Sequence, residues 1–248
     1  MSAFIVSVRN TFRKILGHRK YQVFYIISCG LVLFFTFFTQ GGMRFNFGML
    51  SYSFSNGAFL ALSVLSALIL PLLSFMLASD LFAMEMSDNT IKVELLRPVD
   101  KSKLYFAKCV GVLTYFVMIL LSSFLLCLVV SLFSGWTDKL VVILFAHIMT
   151  KVLCCVFITF SSLIAVWTTN PSLTMFLCIL IYIGLTVFSN LYTFVGAVSF
   201  TSYYSWFKMI MGSVIPWRNV GSTLGLLLSY IGVFAIAGQL VFDRRDAL

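Results

Sequence analysis

Few side chains in this sequence could do chemistry. Its 248 residues hold two histidines, six cysteines and eight carboxylates. Neither His18 nor His147 has an acid and a nucleophile near it in the chain, so no triad is legible. Cys29, Cys109, Cys127, Cys154, Cys155 and Cys178 show no C-x-x-C spacing and no histidine at ligand spacing, and read as small packing residues. The motifs G-x-S-x-G, H-E-x-x-H and G-x-x-x-x-G-K-[ST] are absent. No catalytic, metal or cofactor site of its own is expected.

Two groupings remain. The stretch 80–108 carries five of the eight acidic residues (Asp80, Glu85, Asp88, Glu94, Asp100) and five of the seventeen basic ones (Lys92, Arg97, Lys101, Lys103, Lys108). Apolar runs long enough to cross a bilayer flank it. Because charges in lipid cost several kcal/mol, it is predicted to lie in water or against another protein. The second grouping is Lys151, inside an apolar run, with His147 four residues earlier on the same helical face. Lys151 either lines a polar cavity and meets an anionic or zwitterionic cargo, or snorkels toward the interface. About eleven residues past its span's outer end, it sits near mid-bilayer, which disfavours snorkelling. The spans hold no paired carboxylates of the kind an ion-coupled proton relay would use.

The elements that must position these groups follow from composition. The chain is 61% hydrophobic and 10% charged, with a net charge of +9 and a mean hydropathy of +1.05. Globular domains carry about a quarter charged residues, so a soluble fold is excluded. Long unalternated apolar runs exclude a membrane β-barrel. The basic excess sits at membrane edges, which points to orientation and anionic headgroups rather than nucleic acid.

An all-α integral membrane fold is therefore expected, with six transmembrane helices at about 21–39, 57–79, 109–133, 140–167, 173–196 and 221–242. The first run has no A-x-A-like site and a long core, so it reads as a retained span. Before it, Phe4, Ile5, Val8, Phe12, Ile15 and Leu16 form a helical stripe opposite Arg9, Asn10, Arg13 and Lys14. That pattern predicts an interfacial amphipathic helix over 1–20. Pro71 lies inside span 2, where it removes one backbone donor. The aromatic, Gly- and Pro-interrupted stretch 197–220 reads as an outer re-entrant segment. With both termini cytoplasmic, twelve Lys/Arg fall inside and four outside, which also places 80–108 on the cytoplasmic side. Within it, 85–97 can form a short amphipathic helix with Leu95 and Leu96 as apolar contacts, ended by Pro98.

This segment resembles the matching stretch of permease subunits of ABC-2 type transporters, the exporter class with six spans per subunit. The resemblance rests on Glu85, Asn89-Thr90-Ile91-Lys92, Leu95-Leu96, Arg97-Pro98-Val99-Asp100-Lys101 and Lys108. Asn89 stands where glycine is common and Asp100 where serine is common. The ending from Phe242 to Asp246 is similar to the family's closing F-x-[RK]-[RK]-[DE].

The resemblance implies one ABC-2 type transmembrane domain over 1–248. It would be the permease subunit of an ATP-driven exporter in the cell membrane of a bacterium, paired with a second permease chain as homodimer or heterodimer. Separate ATP-binding subunits would hold and hydrolyse ATP with Mg. Residues 80–108 would be the cytoplasmic coupling segment, with Glu85, Asp88, Thr90, Leu95, Leu96, Arg97 and Pro98 as coupling residues. His147 and Lys151 are the cargo-path candidates. By analogy with short stand-alone permeases, the expected cargo is amphipathic or hydrophobic: a peptide toxin, bacteriocin or antibiotic. The alternatives are lipid or ion export by the same class, or a non-ABC membrane enzyme or assembly factor, against which the missing catalytic cluster stands.

Overall fold

The computed structural model describes residues 3–38, 46–47, 50–51, 57–88, 90, 100–134, 140–211 and 215–244. Six long apolar helices are long enough to cross a membrane: α2 (Arg19–Phe38), α3 (Gly57–Ser87), α4 (Lys101–Ser134), α5 (Leu140–Thr168), α6 (Pro171–Leu191) and α8 (Trp217–Arg244). Helix α1 (Ala3–Gly17) precedes them. A short helix α7 (Thr193–Val198) and a 3-10 helix, Phe200–Ile210, lie before α8. A two-residue antiparallel pair, Asn46–Phe47 with Leu50–Ser51, is the one departure from helix among the described elements. In a membrane this is the expected economy, since a helix satisfies its own backbone.

Helices α3 and α5 form the centre. Leu65, Leu70, Leu73, Phe75 and Leu77 of α3 and Leu153, Cys154, Val156, Phe157 and Ala165 of α5 are all fully enclosed. Around them α6 and α8 turn large apolar residues outward, among them Phe176, Leu180 and Ile183 on α6 and Leu228, Val233 and Ile236 on α8. Outward apolar surface on long spans is the lipid-facing pattern rather than an error of patterning.

Span 2 is not a plain α-helix. Leu65–Ile69 and Ser79–Met84 are π-helical. Pro71 accounts for the first: its ring excludes the carbonyl four residues back, that of Ala67, and it offers no N–H. The freed Ala67 oxygen accepts instead from the Tyr182 hydroxyl of α6 at 2.6 Å. At the second π segment, the Ser79 hydroxyl donates to the Pro171 carbonyl, 2.9 Å away at the start of α6. Span 5 is thus pinned to both irregular turns of span 2.

Three expected boundaries move. Helix α3 continues past Ser79 to Ser87, and α4 starts at Lys101 rather than near Cys109. Asp80, Glu85 and Lys108 are paired between helices, and the helices run on through them. Span 5 ends at Leu191, not near Gly196. There Ser189 and Asn190 turn their side chains back onto the Thr186 carbonyl, competing with the backbone ladder, and Tyr192 is extended. Helix α7 then folds back so closely that a Cβ at Gly196 would sit 2.8 Å from the Ser189 oxygen.

Helix α1 uses its apolar stripe differently from expectation. It packs along α4, burying Ile15 and Thr11. The contact is close because Gly111 has no side chain: a Cβ there would meet Thr11 Cγ2 at 2.7 Å. Ile5 and Val6 remain exposed, as do Arg9, Asn10 and Arg13.

Candidate functional site

The charged groups converge at the end of the bundle where α3 stops and α4 starts. Glu85, only 4% exposed, is held from two sides. Lys14 Nζ of α1 donates to Oε1 at 2.5 Å, and Lys108 Nζ of α4 donates to Oε2. Lys108 is 1% exposed. Its ammonium also donates to the Leu81 carbonyl at 3.1 Å and stands 5.8 Å from the Phe82 ring centroid. Asp80 takes the Tyr21 hydroxyl and pairs with Lys20, both from α2. Tyr21 is in turn packed edge-on against Tyr115, whose hydroxyl donates to the Tyr21 carbonyl at 2.8 Å.

The π segment explains why both carboxylates reach these partners. Residues five apart on an α-helix point about 140° away from each other. A π turn bonds residue i to i+5 and stacks them more nearly one above the other. Asp80 is the second residue of the segment and Glu85 follows it. The two acids therefore face the α1–α2 elbow together, across a crevice of about 220 Å³ that Lys14, His18, Lys20, Asp80, Glu85 and Asp88 help to line.

Beside this cluster the two motifs that carried the family resemblance meet. Ser102 Oγ donates to Asp243 Oδ2 at 3.0 Å, and Gln239 Nε2 donates to Ser102 Oγ at 3.1 Å. Phe242 is buried against Tyr105, ring centroids 5.8 Å apart. Tyr105 in turn fills the space above Gly238 and bonds the Ser162 hydroxyl at 2.8 Å.

The expected site residues fall into three groups. Glu85 is not a surface group: it is buried between two lysines and can act only by positioning α1, α3 and α4. Asp88 and Thr90 are exposed, the Thr90 hydroxyl reaching the Glu85 carbonyl at 3.3 Å. Leu95, Leu96, Arg97 and Pro98, and with them the expected helix at 85–97 beyond Ser87, lie outside the described residues.

His147 and Lys151 separate. His147 is 3% exposed, with Nδ1 2.8 Å from the Ile143 carbonyl and Nε2 3.0 Å from Ser123 Oγ. It joins α5 to α4. Lys151, one turn further on and about 40° around the helix, is half-buried. Sequence reasoning missed Lys14, Lys20, Tyr21 and Asp80 as one network. The signal for part of it was Lys108: an ammonium at the start of a long apolar helix calls for a carboxylate.

Among the described residues no group of three or more His, Cys, Asp or Glu could hold a metal ion. All six cysteines are free thiols.

The family model described as ABC-2 family transporter protein matches residues 13–186, a stretch running from α1 to α6 and covering most of the chain. The chain belongs to this family: it is a multi-pass membrane component of an ABC-2 transporter. No curated protein matches it.

Proposed function

We infer that this chain is the permease subunit of an ATP-driven exporter, coupled to separate ATP-binding subunits at the charged end of the bundle. The observation that carries the reading is the Lys14–Glu85–Lys108 junction. It ties α1, α3 and α4 together directly beneath the exposed Asp88 and Thr90. A partner pushing on the segment from Asp88 to Asp100 would move three elements as one, and two of them are spans. Binding energy released elsewhere can bias the membrane helices only through such a rigid connection.

In this reading both termini and the charged end face the cytoplasm of a bacterial cell, as the distribution of Lys and Arg suggests. Helix α1 lies at the headgroup level, with Arg9 and Arg13 of its exposed face toward anionic lipid. Helix α7 and the 3-10 helix form the outer re-entrant segment. Here Phe200, Trp206 and Phe207 are buried and burial pushes the Lys208 ammonium down to about 8. A second permease chain completes the path, whose cargo is amphipathic or hydrophobic. The partner holds ATP and Mg.

Purification of the tagged chain from its native membrane tests this. ATPase activity should co-elute with the wild type and be lost with Asp88→Arg or with Leu95 and Leu96 both changed to Asp, while the chain itself stays folded. Absence of any co-eluting ATPase would overturn the reading.

A further inference from the structure

Lys151 lies eleven residues into α5, roughly 16 Å from Leu140 along the helix, near the middle of a hydrocarbon layer about 30 Å thick. Of its neighbours at helical spacing, Leu144 and Ile148 are 42% and 45% exposed, while His147 and Cys154 are 3% and 0% exposed. The half-buried lysine thus sits at the edge of the outward stripe of α5, about 40° around the helix from the inward-turned His147. No described residue forms an ion pair with it. The sequence offers none nearby either, because it places no carboxylate between Asp100 and Asp138 or between Asp138 and Asp243. An ammonium at this depth is strongly disfavoured against lipid tails.

A second copy of the chain would not supply the missing acceptor. The acids in its long helices, Asp80, Glu85 and Asp243, lie at helix ends away from this depth, and it would bring another lysine. The counter-charge must therefore come from a molecule that is not this protein. We propose that the outward face of α5 binds an anionic amphiphile, whose carboxylate or phosphate pairs with Lys151 while its apolar part lies along Leu144, Phe145 and Ile148. This rests on the permease reading and narrows its cargo: the path selects anionic amphiphiles and rejects cations, sodium and polycationic peptides included. A neutral path of the same shape would not discriminate, since apolar contact alone carries no charge preference.

The experiment uses the full chain in neutral phosphatidylcholine nanodiscs, with dansylated undecanoic acid as the probe and its methyl ester and its ammonium counterpart as controls. Wild type should bind the carboxylate saturably and at least about tenfold more tightly than either control. Lys151→Met should lose that preference, and Lys151→Arg should keep it within about threefold. Equal binding of the three probes by wild type, or a preference surviving in Lys151→Met, would overturn the proposal. So would anionic phospholipid in the disc abolishing carboxylate binding at equimolar amounts, since the site would then belong to bulk lipid. Co-elution of ATPase with Lys151→Met is measured in parallel. Discrimination surviving in Lys151→Met, with ATPase retained, fails the cargo inference alone, and absence of ATPase from wild type fails the permease reading beneath it.

Discussion

Glu85→Gln removes one charge from the junction and almost nothing else. The amide has the carboxylate's shape, but Lys108, a 1% exposed ammonium beside the Leu81 carbonyl and the Phe82 ring face, loses its charged partner on α3. Removing one partner of a buried ion pair costs about 3–5 kcal/mol. For a chain of this size each kcal/mol is worth about 2–4 °C, so the melting midpoint should fall by roughly 6–20 °C. Lys14 behaves differently because its side chain is 45% exposed. Water already competes for its charge, and Lys14→Met should cost at most about 1 kcal/mol. The joint change Glu85→Leu with Lys108→Met removes both buried charges and should return to within a few degrees of wild type, since an apolar pair of similar volume often replaces an ion pair without loss. Thermal unfolding in nanodiscs at one scan rate reads all four proteins. Equal, small losses for Glu85→Gln and Lys14→Met would refute the reasoning, as would a double variant no more stable than Glu85→Gln.

Three further outcomes follow from other parts of the fold. Tyr182→Phe strips the only hydroxyl bound to the Ala67 oxygen that Pro71 frees, and should cost about 0.6–1.7 kcal/mol, read as a lower midpoint. Gly238→Ala pushes a methyl into the Tyr105 hydroxyl and should destabilise by about 1–3 kcal/mol; combined with Tyr105→Phe the loss should be less than additive in a double-mutant cycle. Lys208 has a lowered folded pKa, so the unfolded chain binds more protons between about pH 8 and 10.5. Stability should therefore rise with pH across that window, and Lys208→Met should flatten the slope in melting curves.

Much of the architecture was legible because a membrane makes a coarse demand. Long apolar runs bounded by Gly41-Gly42, Asn170-Pro171 and charged clusters have few alternatives to spanning helices, and all six were found near their expected places. What the sequence concealed was pairing at a distance. Lys14 and Glu85 are far apart in the chain, and no local pattern joins an N-terminal helix to the end of span 2. Within 80–108, Asp80, Glu85 and Lys108 are buried or half-buried in pairs for the same reason: a charge looks soluble until its partner is known. The π segments were hidden because a single wider turn leaves hydropathy unchanged, and only Pro71 hinted at the first. His147 and Lys151 share a face by counting, yet a rotation of about 40° around the helix sets one against Ser123 and leaves the other at the edge of the outward stripe.

An ATP-binding subunit coupled to this chain would seat on the exposed rim beside Glu85. A photo-crosslinking amino acid placed at Thr90, in cells and under native expression, reads this most directly, with the same probe at the outward-facing Phe133 as control. A single cross-linked protein from Thr90, also labelled by azido-ATP, is expected, with no such product from Phe133. Cross-links from Thr90 only to lipid or to a second copy of this chain, with no azido-ATP-labelled partner, would contradict it.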